Sequence, residues 1–324
     1  MILVTGAGGQ IGSDLVEALR ERCGEDDVLA TDLTSPGGEG PGEALDVTDR
    51  PGLRKLVERR GVETVYHLAG LLSAVGEKHP DRCWEVNVNG LRNVLELAQS
   101  HGLRVFWPSS IAVFGPYTPR RLTPQVTVED PRTMYGITKV TGELLCDYYA
   151  RKLGVDVRSL RLPGIISYTT PPGGGTTDYA VEMFYAALRD EAYTCFVRPE
   201  TRLPMMYMPD TLRAILLLMD ADAADLHVHS SYNITGLSFS AEELAAAIRE
   251  RRPSFTVRYE PDFRQAIADT WPTQIDDSHA RADWGWRPAY DLDAIVDDML
   301  AKLGARLGAN AKTSPSAPKT LVQP

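Results

Sequence analysis

Short apolar runs alternate with stretches of helical periodicity through the first half of the chain. Residues 2–4 are apolar without interruption, as a strand buried on both faces would be. Residues 11–21 follow with Ile11, Leu15 and Leu19 at helical spacing. Apolar runs at 28–31, 64–68, 104–109 and 157–162 predict four more strands, and residues 91–98 and 139–152 predict helices between them. Such alternation predicts an α/β fold, a Rossmann-type doubly wound parallel sheet covered by helices on both faces. From about Gly164 the rhythm breaks into Pro- and Gly-rich segments, Pro171-Pro172-Gly173-Gly174-Gly175 among them. These predict a smaller C-terminal lobe closing over the carboxyl edge of the sheet, where open α/β folds bind ligands. The expected division is a first domain over 1–163, a lobe mainly over 164–306 with a return to the sheet at about 205–235, and a disordered tail over 307–324.

The helix predicted at 139–152 carries Leu144, Leu145, Tyr148 and Tyr149 on a broad apolar surface. With the helix at 91–98 it is expected to form a homodimer interface; burial within one subunit fits the same pattern equally well. Composition narrows the partners. A chain of 324 residues, 43% hydrophobic, can bury a large core. Its net charge of -10 argues against nucleic acid and anionic membrane surfaces, leaving small molecules or a second copy. The longest apolar run, 214–219, is too short to cross a bilayer. Cys23, Cys83, Cys146 and Cys195 stand far apart, without zinc spacing or a disulfide framework, and no metal site is expected. With a strand predicted from residue 2, no leader is expected, and the location is expected to be cytoplasmic.

The turn after the first strand carries the first chemistry. Gly6, Gly9 and Gly12 stand between strand and helix, suited in order to a tight turn, close approach of a pyrophosphate and close packing of helix on strand. The pyrophosphate would rest on the helix N-terminus at Gln10 and Ile11, where free N–H groups and the helix dipole favour negative charge. Asp32 ends the second strand about 20 residues on, the position of an acid that accepts from the adenosine ribose. No Arg follows it in Leu33-Thr34-Ser35, so the cofactor is expected to be NAD rather than NADP.

Ser110, Tyr135 and Lys139 form the reacting set. Tyr135 and Lys139 are four apart and share a helix face. A tyrosine hydroxyl titrates near about 10, so its use as a base near neutrality needs stabilisation of roughly 4 kcal/mol. Lys139 and a positive nicotinamide ring would supply it. Ser110, at the end of a strand, would hold a substrate oxygen against Tyr135.

These residues resemble the extended short-chain dehydrogenase/reductase family, in its epimerase-like branch, from Met1 to about Leu303. The resemblance implies that Tyr135 is the acid/base, that Lys139 binds the nicotinamide ribose and lowers the tyrosine pKa, and that Ser110 orients the substrate. It also implies that Asp46 and Val47 meet the adenine, and that His67, Leu68, Ala69, Gly70 and Asn87 line the cofactor, with Leu162 counted among the contacts. From the residues alone, Asp46 reads as a turn residue and Asn87 as a cap or polar-network residue.

Three stretches narrow the resemblance to short-chain-type L-threonine 3-dehydrogenases: Ser167-Tyr168-Thr169-Thr170 through Gly175-Thr176-Thr177-Asp178 to Glu182, Tyr193 to Asp210, and Trp271 to Trp286. L-Threonine is therefore the expected substrate. Gly175, Thr176 and Thr177 offer amides and hydroxyls to a carboxylate, and Asp178 is expected to face an ammonium, or else to start a helix at Tyr179. Ser73, after the third strand, is expected to be a second substrate contact, and Trp271 either to close the pocket or to belong to the core. A nucleotide-sugar 4-epimerase or dehydratase would share the fold, NAD and the trio, with Arg198 and Arg202 as its sources of positive charge. A non-enzymatic NAD-binding regulator would have no use for the Tyr/Lys pair.

Overall fold

The computed structural model describes residues 1–313. In chain order the first half runs β1 (Ile2–Thr5), α1 (Gln10–Cys23), β2 (Val28–Asp32), β3 (Gly42–Ala44), α2 (Arg50–Arg60), β4 (Thr64–His67), α3 (Ser73–Lys78), α4 (Pro80–Trp84), α5 (Gly90–His101), β5 (Arg104–Ser110), α6 (Met134–Leu153) and β6 (Val157–Leu162). The second half follows as β7 (Gly164–Ile166), α7 (Tyr179–Leu188), β8 (Tyr193–Cys195), β9 (Arg202–Tyr207), α8 (Met208–Asp220), β10 (Tyr232–Asn233), β11 (Leu237–Ser240), α9 (Ala241–Arg251), β12 (Val257–Tyr259), α10 (Phe263–Ala268), α11 (Ser278–Trp284) and α12 (Leu292–Thr313).

Seven strands pair in the order β10-β6-β5-β4-β1-β2-β3, every pair parallel. Strand order reverses between β1 and β4, so the crevice outside their carboxyl ends is the switch point at which such sheets bind ligands. Alternate residues serve opposite faces. Leu3, Leu29, Val65 and Val105 pack under α2, α5 and α6, whereas Val4, Ala30, Tyr66 and Phe106 pack under α1 and α8. Both faces being apolar explains why these strands read as unbroken runs. β3 escaped the pattern because it is a short edge strand, Gly-Glu-Ala, with no apolar run to mark it.

The remaining strands lie apart. β11, β9 and β7 form one small sheet and β12 pairs with β8. A separate core gathers α7, α9 and α12 around Phe184, Tyr207, Leu244 and Met299. β10 returns the chain to the central sheet beside β6. The stretch expected as a tail from 307 is helical up to Thr313, because α12 continues through it; the rest of that tail lies outside the described residues. Among the described residues no helix is long and apolar enough to cross a membrane.

Candidate active site

The first turn of α1 is bare. Gly9 is its N-cap, without a side-chain hydrogen bond, and no acidic residue stands in that turn. The amides from Gln10 onward therefore offer unpaired donors at the positive end of the helix. Gly6 has φ +70°, and a Cβ on Gly12 would stand 2.1 Å from the Gly6 carbonyl oxygen. Turn and helix are in backbone contact, with no room for a side chain.

A cavity of about 280 Å³ opens from this turn. Its floor is Gly6, Gly9, Gln10, Ile11 and Gly12, with Leu68 and Gly70 from the segment after β4 and Leu162 from the end of β6. Ser73, Ser110, Tyr135 and Lys139 line its middle. Gly175, Thr176, Thr177, Asp178 and Trp271 form the far wall. Sequence reasoning missed Leu71, Leu72, Pro108, Ser109, Pro163 and Ile165, which also line it. Leu71, Leu72, Ser109 and Pro163 adjoin residues already singled out, and Pro108 and Ile165 lie two and three residues from Ser110 and Leu162, so closeness to a strand end was the available signal.

Tyr135 stands in the first turn of α6, which begins at Met134 with Thr133 as its cap accepting the Gly136 amide at 3.1 Å, so Tyr135 and Lys139 share a helix as their spacing predicts. A Cβ on Gly136 would lie 2.3 Å from the Ala112 carbonyl, so the helix start presses against the turn that follows Ser110. Ser110 Oγ itself accepts the Ala112 amide at 3.2 Å, and both Ser110 and Tyr135 line the cavity. Burial pushes Tyr135 up to about 12, the Ser110 hydroxyl being the one opposing influence. Lys139 does not offset this as expected. Its ammonium donates to the Pro108 carbonyl at 2.6 Å and lies 4.5 Å from the centre of the Trp107 ring. Burial draws it down to about 8.

Other expected contacts stand beside the cavity rather than in its wall. Asp32 accepts the Gly8 amide at 3.0 Å and the Leu33 amide at 2.7 Å. Asp46 closes a turn onto the Thr48 amide and hydroxyl, while the Val47 side chain is buried against Gly90. Ala69 donates its amide to Thr5 Oγ1 at 3.4 Å. Asn87 is buried and braces the cavity segment, exchanging bonds with the Leu71 backbone at 2.7 and 3.0 Å and donating to Thr138 Oγ1 at 3.1 Å. It is the polar-network residue, in place of a lining one. His67 is sealed inside, its Nδ1 on Thr5 Oγ1 at 2.8 Å, and burial lowers it to about 3.

Asp178 lines the cavity and also has a local role. Its Oδ2 accepts the Gly174 and Gly175 amides at 2.7 and 2.8 Å, so one carboxylate oxygen braces its own glycine loop. Two backbone donors in a side-chain-free loop reach it first. The loop is also tied to the glycine turn's helix, Thr169 Oγ1 donating to Asp14 Oδ2 at 2.8 Å. Trp271 is both wall and core. Arg198 and Arg202 stay outside the cavity, the first paired with Glu200 and Asp269, the second with Glu243 and the Ser238 carbonyl.

Residues 2–235 match the NAD dependent epimerase/dehydratase family. The chain belongs to that family. An uncharacterized epimerase/dehydratase of Staphylococcus haemolyticus is 48% identical over 305 residues, covering 92% of this chain and 96% of its own length. Among solved structures, the holo form of a GalE-like L-threonine dehydrogenase from Cupriavidus necator is 56% identical with a TM-score of 0.92, covering 93% of this chain and 99% of that one. A monomeric L-threonine 3-dehydrogenase from a metagenome, in apo form, is 50% identical with a TM-score of 0.92 over 94% and 99%. For an NAD dependent epimerase/dehydratase, the bare helix terminus and the side-chain-free turn fit the dinucleotide's pyrophosphate, and Asp32 beside Gly8 fits its ribose.

Proposed function

We propose that this chain is an NAD-dependent L-threonine 3-dehydrogenase, oxidising the C3 hydroxyl of L-threonine to L-2-amino-3-oxobutanoate. One observation carries the reading. Ser110, Tyr135 and Lys139 share a cavity with Gly175, Thr176 and Thr177 on one side and the glycine turn on the other. The identity to solved L-threonine dehydrogenases, 50% and 56% along nearly the whole chain, supports the same substrate.

Gly9, Gln10, Ile11 and Gly12 would hold the pyrophosphate, Asp32 the adenosine ribose, and Lys139 the nicotinamide ribose. Bound NAD supplies an acceptor for two electrons and a positive ring. Ser110 steadies the C3 oxygen against Tyr135, and Tyr135 takes the hydroxyl proton. With its phenol at about 12 in the free protein, Tyr135 depends on positive charge arriving with the ligands. Lys139, whose ammonium has one hydrogen-bond partner, the Pro108 carbonyl, keeps further N–H donors for that oxygen. Thr176 and Thr177, ahead of the N-terminus of α7, suit the substrate carboxylate. No arginine lines the cavity, which favours a small zwitterion over a nucleotide diphosphate.

The assembly we favour is a homodimer through α6, in the cytoplasm. Ile137, Leu144 and Tyr148 share one face of that helix and are 43%, 67% and 52% exposed. α5 adds little, since Leu91, Val94, Leu95 and Leu97 are buried in their own subunit. NADH formation from L-threonine tests the activity; its absence, with conversion of UDP-galactose instead, would move the chain to the epimerases.

A further inference from the structure

The cavity is backed by a buried ionic cluster that the reaction does not touch. Glu143, 2% exposed, stands on α6 one turn beyond Lys139 and two beyond Tyr135. Its carboxylate accepts Ser109 Oγ at 2.5 Å, Arg161 Nε at 2.9 and 3.1 Å and Arg161 Nη2 at 2.6 Å. Ser109 precedes Ser110, and Arg161 lies opposite Ser109 in the β5·β6 register. Arg161 then reaches outward. It donates to the Gln125 carbonyl and Asn233 Oδ1 at 3.0 and 3.1 Å and pairs with Glu129. Asn233 donates to the Thr123 carbonyl at 3.1 Å, and Thr123 bridges to Ile275, in the segment that carries Trp271.

A buried ion pair adds little net stability over an apolar pair of the same shape, yet it fixes whatever it holds. Here it holds the strand end that carries Ser110, the helix that carries Tyr135 and Lys139, and the loop behind Trp271. We propose that Glu143 is a positioning residue for the reaction, fixing the Ser109–Ser110 strand end against α6 and setting a buried carboxylate one helical turn from Lys139. The inference rests on the reading of Ser110, Tyr135 and Lys139 as the reacting set.

Charge supports this role. The titratable groups facing Lys139 are His67 from β4, Cys83 from α4, and Tyr135, Cys146 and Glu143 from α6. His67 is held neutral by burial, and burial pushes both thiols and the phenol upward. Glu143 is the carboxylate of the set. Its partner cluster has two carboxylates for one guanidinium, and burial together with the neighbouring Glu143 raises Glu129 to about 7.

Two variants of the full chain test the proposal, Ser109→Ala and Glu143→Gln, with kcat and KM for L-threonine and the pH dependence of NADH binding followed by fluorescence. Ser109→Ala is expected to lower kcat about tenfold through misplacement of Ser110, with NADH affinity within about twofold of wild type. Glu143→Gln is expected to lower kcat likewise and to move the alkaline loss of NADH binding downward by about one pH unit. Wild-type kcat in Ser109→Ala together with an unmoved pH profile in Glu143→Gln would overturn it. Should Glu143→Gln not fold, the kcat of Ser109→Ala decides. If the wild-type protein ignores threonine, the activity reading falls, and the NADH pH profile still judges Glu143.

Discussion

At the scale of single residues, identity was legible and partnership was not. Tyr135 and Lys139 announce themselves by spacing and Ser110 by its strand end, and all three meet in the cavity. Which atom Lys139 touches depends on Pro108 and Trp107, supplied by another element, so the sequence could not foretell its engagement there. Asp178 shows the same limit, because its Oδ2 is claimed by amides three and four residues back in a loop without side chains. His67 carries a pH prediction. Burial lowers it to about 3 from an ordinary 6.5, so the unfolded chain takes up a proton that the native state refuses between those values. Its contribution to stability is full above about 6.5 and is lost as pH falls toward 3, by up to about 1.4 kcal/mol per pH unit. Thermal unfolding across that range should therefore show a shallower acid decline in His67→Gln than in wild type; parallel declines would refute the assignment.

Elements were legible where apolar periodicity ran long enough. β1, β2, β4, β5 and β6 fall within a residue or so of their predicted spans because both faces of each are covered. The edge strand β3 was not, since Gly-Glu-Ala has no apolar run, and the apolar pattern marked α6 only from 139, its first turn being legible through the Tyr135–Lys139 spacing alone. The glycine turn separates two roles that its sequence pattern merges. A Cβ on Gly12 would meet the Gly6 carbonyl oxygen at 2.1 Å, whereas one on Gly9 would find only that same oxygen, at 3.2 Å, and Gly9 has φ -77°, which alanine accepts. Gly12→Ala should thus destabilise the fold, with a lowered melting temperature. Gly9→Ala should melt within a few degrees of wild type while losing at least about tenfold in NAD affinity, its methyl standing where the pyrophosphate approaches. Equal thermal losses in the two variants would contradict this division.

For the whole molecule, the doubly wound sheet and its switch point followed from the alternation of runs, and the second lobe only from the breakdown of that alternation. How the lobe meets the sheet was hidden, because Asp14 with Thr169, and Thr123 with Ile275, join residues more than a hundred positions apart. Oligomeric state belongs to this scale as well. Sedimentation should give a dimer for the wild-type chain and a monomer for Leu144→Asp with Tyr148→Asp, since charges on that α6 face would have to be buried; a wild-type monomer would refute the pairing. The most direct test of the whole account is NADH formation from L-threonine and NAD by wild type and Tyr135→Phe, with NADH binding measured alongside. Wild-type turnover should fall by about 10²–10⁴-fold in Tyr135→Phe while NADH still binds. No NADH from threonine in the wild type, or undiminished turnover in Tyr135→Phe, would contradict it.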